Sequence, residues 1–163
     1  MDHLYDVWYF TRQRLDQSIE ELSEEQAAWR PYPGAHSIVE MVYHIAGAEH
    51  WMATRLLGLE PEATERDAKI DRSVRASFIT DDPFPFSPGE CSLADARLAL
   101  DETAPLAERV LREPGPDILE KPLETPLGPV VPGVGGLWRI AQHAAYHTGQ
   151  IWTYRSLPGF PTS

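Results

Sequence analysis

Cysteine is nearly absent from this 163-residue chain: Cys91 is the only one. An internal disulfide is thereby excluded, and the composition fits a reducing compartment. A single thiol just ahead of a helix start is read as incidental. Basic residues are also scarce. Lys and Arg number 14 against 25 Asp and Glu, a formal net charge of −11. Such a surface repels a phosphate backbone, and no basic cluster offsets it, so nucleic-acid binding is disfavoured. No apolar stretch approaches the roughly 20 residues of a membrane span, and no basic segment followed by an apolar run opens the chain. The expectation is a soluble, unexported, cytoplasmic protein. Internal repeats and low-complexity segments are missing too.

What is present is helical periodicity. Apolar residues make up 42%, ordinary for a globular chain, and the length fits one domain over residues 1–163. Leu4, Val7, Trp8, Thr11, Leu15, Ser18, Ile19 and Leu22 recur at the spacing of one buried face, which predicts a first helix over residues 3–21. Ser23 with Gln26 forms a capping box for a short turn ending near Trp29, and Pro31-Tyr-Pro-Gly34 breaks the chain. A second capping box, Ser37 with Glu40, opens helix 2. Its stripe is Ile38, Met41, Val42, Ile45, Ala48, Met52 and Leu56, and Gly58 is a natural stop.

Residues 59–91 form a long connection, in part helical from Pro61 and continuing to Phe78. Its proline-rich stretch Asp82–Pro88 reads as an extended crossover, with Phe84 and Phe86 packing over the bundle end. A third helix starts near Ser92, and Pro105 predicts a kink or break around Ala104. Residues 117–136, rich in Pro and Gly, read as a loop that shapes the mouth of a site, and a last helix covers 137–156. The fold class is therefore all-α: a four-helix bundle with a long crossover between helices 2 and 3, which are not simple antiparallel neighbours.

The chemistry concentrates in His143-Ala-Ala-Tyr-His147-Thr-Gly-Gln150 of the last helix. Two histidines four apart lie on one helix face, one turn above the other, so both imidazoles can address a shared metal ion. A third ligand must come from elsewhere, and His44 in helix 2 sits at the edge of the buried stripe. His50 is rotated roughly 240° from His44. His36 lies in the preceding loop, and His3 at the chain start. The metal constellation is thus His44, His143 and His147, against the plainer alternative of satisfied core histidines. Ala144 stands where a metalloprotease would carry glutamate, so the chain is not a zincin. Glu40, one turn before His44, is positioned to orient it or act as a base, although capping already accounts for it. No other candidate general base stands out, and the catalytic residues stay open.

Ser37, Glu40 and His44, with His143, Tyr146, His147, Gly149, Gln150 and Ile151, give the pattern S-x-x-E…H-I-A and H-x-x-Y-H-x-G-Q-I. Together with the segment Leu22–Pro31, this pattern resembles the DinB superfamily, the DinB/YfiT-like four-helix bundles. The resemblance implies a divalent metal on His44, His143 and His147, with Zn²⁺ favoured and Ni²⁺, Fe²⁺ or Mn²⁺ open alternatives. It implies an S-transferase that joins a low-molecular-weight thiol of the mycothiol or bacillithiol type to an electrophilic small molecule. Two alternatives accompany it: a hydrolase in which metal-bound water is the nucleophile, and a non-catalytic, metal-stabilised stress-response or binding bundle. Relatives that dimerise, and tryptophans expected at the surface (Trp51 and Trp152), make a homodimer compatible with the sequence.

Overall fold

The structure is a computed structural model, described over residues 3–74, 84–87, 89–125 and 128–162. Short polar side chains start most of its helices. Ser23, Ser37 and Thr64 each close a capping box, with Gln26, Glu40 and Asp67 as reciprocal partners, and Ser92 accepts from the Asp95 amide. The elements in order are α1 (Leu4–Ile19), α2 (Glu24–Ala28), α3 (Ile38–Leu57), α4 (Glu65–Ser73), α5 (Leu93–Arg112), α6 (Pro116–Leu119), β1 (Pro122–Glu124), β2 (Val130–Pro132) and α7 (Gly133–Arg155). Gly58 ends α3 in the left-handed conformation, φ 68°, returning its N–H to the Arg55 and Thr54 carbonyls.

The four long helices pack in a closed ring, α1 against α7, α7 against α3, α3 against α5, and α5 against α1. Two core layers fix their directions. Ile38, Tyr43, Leu93 and Leu100, from the first halves of α3 and α5, pack with Leu15, Ile19, Ile151 and Tyr154, from the second halves of α1 and α7. Met52, Leu56, Val110 and Leu111 pack with Trp8, Leu137 and Ile140 at the other end. Thus α3 and α5 are neighbours that run parallel, and α1 and α7 run parallel in the opposite sense. A 20-residue helix is about 30 Å long, so the link joining α3 to α5 must return the chain along the bundle. Its described part holds α4, which lies on α3. Phe84 and Phe86 reach the Tyr43 ring at 6.3 and 5.4 Å. The part of the expected helix from residue 75 to Phe78, and Asp82, Pro83 and Pro88 of the expected extended stretch, lie outside the described residues.

Three expectations need correction. α5 passes through Pro105 without a break. Pro105 and Asp101, whose carbonyl loses its partner, are both exposed, and a hydrogen bond lost on a solvent-facing side costs less than one lost in the core. The described residues of 117–136 hold regular elements where a loop is expected: the end of α6, the antiparallel pair β1–β2, with Leu123 opposite Val131, and the start of α7. Glycine here serves close packing. A Cβ on Gly133 would lie 1.7 Å from the Ile118 carbonyl oxygen, so α7 can begin four residues earlier than its apolar pattern indicates. Finally, Trp51 is buried at 8% exposure, whereas Trp152 is exposed at 46%. Among the described residues no helix is long and apolar enough to cross a membrane.

A buried ion pair ties three of the long helices together. Arg12 Nη1 donates to Glu49 Oε2 at 2.7 Å and Nη2 to the Leu100 carbonyl at 2.9 Å, while Trp8 Nε1 donates to Glu49 Oε1 at 3.0 Å. Burial pushes the Glu49 carboxyl above its usual range, opposed by Arg12 and by the two hydrogen bonds. Removing one partner leaves the other charge buried alone. Arg12→Ala is therefore expected to cost about 3–5 kcal/mol in urea unfolding, with much of the loss restored in Arg12→Met/Glu49→Leu. A single-variant loss under about 1 kcal/mol would contradict this account.

Candidate metal centre

His44 comes from the middle of α3, and His143 and His147 from the middle of α7, where these antiparallel helices face each other across the junction of the two core layers. One ligand-capable atom from each of the three lies within 4.8 Å of the others. The His143 and His147 Nε2 atoms are 3.1 Å apart. Two nitrogens on one tetrahedral Zn²⁺ are separated by about 3.3 Å, so this pair already has the spacing of a shared ion. The three rings meet edge to face, with centroids 4.7–5.2 Å apart.

Hydrogen bonds assign which nitrogens face inward. His44 Nδ1 lies 3.1 Å from the Ser73 carbonyl oxygen. A carbonyl only accepts, so Nδ1 carries the proton and Nε2 presents its lone pair to the cluster. His147 Nδ1 is 2.7 Å from Gln150 Oε1, which fixes the same tautomer and again leaves Nε2 as an acceptor. His143 Nδ1 is buried with no partner among the described residues. The lone pairs of His44 and His147 thus turn into the cluster, and a cation is a partner that such a donor set fits.

Residues 7–151 match the profile of the DinB superfamily. The chain belongs to the DinB superfamily. No curated protein matches it.

In this DinB-superfamily chain, burial governs the protonation of all three imidazoles. It holds His44 at about 4 and His147 at about 3, and it keeps His143 well below the ordinary histidine range. His147 and His44 depress His143 further, His44 and His36 depress His147, and His36 depresses His44, whereas the Ser73 carbonyl and Gln150 favour the charged forms of His44 and His147. At neutral pH all three are therefore neutral, as ligation requires.

The remaining histidines do other work. His50 is buried away from the cluster, 3.4 Å from Asp71 and 3.6 Å from Asp67 of α4. His3 is exposed beside Asp6. His36 lies near enough for its charge to depress both His44 and His147, and its Nδ1 is 3.8 Å from Glu40 Oε2. It therefore stands at the rim, closer than its loop position implied. Glu40 does not orient His44: one oxygen accepts from the Ser37 amide and the other from Arg30, each at 2.7 Å. Burial pushes the Cys91 thiol up to about 11, unlike a reactive thiolate. Ser73 and Gln150, which orient two of the three imidazoles, had not been singled out for that role. Gln150 carried a signal, one turn after His147; Ser73 had none. The β1–β2 unit meets α7 at Gly136, about two turns before His143.

The protonation pattern gives a pH dependence for metal-free protein. Unfolded imidazoles titrate near 6.5, and folded His44 and His147 at about 4 and about 3, so the unfolded chain binds more protons in between. Stability is complete above about pH 6.5 and falls as the pH drops toward 4. His44 alone is expected to account for a loss on the order of 3 kcal/mol across that window. Urea melts at pH 7, 6 and 5 measure the slope, which His44→Gln is expected to flatten. An equal slope in both proteins would refute the assignment.

Proposed function

We propose that this protein is a divalent-metal protein with His44, His143 and His147 as ligands, Zn²⁺ being the first candidate. We further propose that it transfers a low-molecular-weight thiol of the mycothiol or bacillithiol type to an electrophilic small molecule. The observation that carries the metal reading is the convergence of three neutral imidazoles, two with their tautomers fixed for ligation. Among the described residues no fourth His, Cys, Asp or Glu joins them. Three protein ligands with a position to spare are the pattern of catalytic sites, whereas structural sites close with four. When bound, the ion supplies a Lewis acid that favours the thiolate of a coordinated thiol.

The chain's own part is to hold, orient and screen. Ser73 and Gln150 set two imidazoles, and the Tyr146 ring lies 5.0 Å from that of His147 while remaining 58% exposed, a surface for substrate at the mouth. Glu40 favours thiol transfer over hydrolysis. Water is a weaker acid than a thiol and gains more from a nearby base, yet both oxygens of this carboxylate, one turn before His44, are committed to Ser37 and Arg30.

Tag-free protein is expected to carry about one metal ion per chain by ICP-MS. His147→Ala should lower the affinity at least tenfold while helix content by circular dichroism stays unchanged. His3→Ala, at an exposed histidine whose partner is Asp6, should retain wild-type affinity, and an equal loss there would overturn the ligand assignment. Loaded protein should consume an electrophile only when thiol is supplied. Ester or amide cleavage without thiol would make it a hydrolase, and neither activity would leave a metal-stabilised binding protein.

A further inference from the structure

α4 is a nine-residue helix outside the four-helix ring, yet its last turn is built into α3 beside the metal centre. Ser73 is fully buried, and its Oγ is within donating distance of the Tyr43 carbonyl oxygen at 2.9 Å and that of Ile70 at 2.7 Å. Tyr43 precedes His44, so the same turn grips the α3 backbone and accepts from the His44 ring. The approach depends on a missing side chain. A Cβ on Gly47, one turn past Tyr43, would lie 2.1 Å from Ser73 Oγ and 2.7 Å from the Ile70 carbonyl oxygen. Further along α3, Arg55 forks onto Asp71 at 2.8 and 3.2 Å, and His50 lies between Asp67 and Asp71. The helix is thus clamped farther along α3 and seated by glycine beside the turn that carries His44.

We propose that α4 is a positioning element for the three-histidine centre: the Ser73 main-chain carbonyl holds His44 with Nε2 on the ligand side, and the seating of α4 on Gly47 sets the metal affinity. The proposal rests on the metal reading above and adds a residue whose only link to the ion is through His44. Partners that orient a ligating imidazole typically change metal affinity 10- to 100-fold when lost. Any residue could donate this carbonyl, so the contact depends on where α4 sits and not on the serine side chain alone.

The test uses the full chain and Gly47→Ala, which forces the last turn of α4 outward. Zn²⁺ affinity from competition with a chromophoric chelator is expected to fall tenfold or more. The ¹⁵N pattern of His44 in metal-free protein should lose its Nδ1–H signature, and the visible spectrum of the Co²⁺-loaded protein should change. Leu111→Ala, a cavity in the far core layer, should lower the melting temperature while leaving affinity, tautomer and spectrum as in wild type. Ser73→Ala keeps the carbonyl but releases the grip on Tyr43, so the same effects are expected at about threefold; it is the variant to use should Gly47→Ala not fold. Affinity within twofold of wild type and an unchanged His44 tautomer in both folded variants would overturn the proposal. Failure of the metal reading looks different: wild-type protein that takes up no Zn²⁺ although its His44 carries the Nδ1 proton.

Discussion

Desolvation of three imidazoles at one point is the constraint on which the rest of this architecture depends. Imidazole in water accepts a proton near neutrality; here burial withholds it, and the rings stay neutral, with the Nε2 lone pairs of His44 and His147 turned into the cluster. Holding them there needs two antiparallel helices at close range and a packed interior on either side. The centre sits between the two core layers, with Ala46 and Ala144 in one and Ala48 and Ala141 in the other. Small side chains flank the histidines along both helices and leave room for the rings. A shift of α3 against α7 by one turn would move His44 about 5.4 Å and dissolve the cluster.

The bundle's parallel pairs serve the same end. Running α3 and α5 in the same direction requires a long return, and that return gives the chain a place to build α4. The crossover is therefore more than a linker: its described helix reaches the backbone of α3 at Tyr43 and the ring of His44. The acidic clamp, Asp67 and Asp71 around His50 and Arg55, uses charges that a composition-level reading assigns to solvent.

The sequence announced what short-range spacing can encode. Ser37 and Glu40 fix the start of α3, the i,i+4 pair puts His143 and His147 on one face, and the apolar stripe brings His44 to the interior. Long-range contacts through the backbone have no such signature. Ser73 matters by its carbonyl, which every residue possesses, and it lies 29 positions from the imidazole it orients. Proline and glycine misled for a related reason. Pro105 was expected to break a helix whose exposed face tolerates the lost hydrogen bond, and Gly133 to mark a loop where it lets Ile118 approach. Both residues record what the backbone avoids at a position, and only the tertiary neighbours decide which avoidance applies.

Two buried polar clusters in the same bundle are resolved in opposite ways, and the contrast bears on function. Around Glu49, both carboxylate oxygens meet donors from Arg12 and Trp8, and the guanidinium spends its remaining reach on the Leu100 carbonyl. That network is closed and calls for no further ligand; its account is stability. Around His44, the described residues supply partners to the outward nitrogens of His44 and His147 and none to His143 Nδ1, while the Nε2 atoms of His143 and His147 face one another. A fold able to satisfy one buried charge so completely has the means to satisfy a histidine. A buried imidazole nitrogen with no partner among the described residues is destabilising unless something else fills the gap. The incomplete cluster, and not the complete one, is where a ligand belongs.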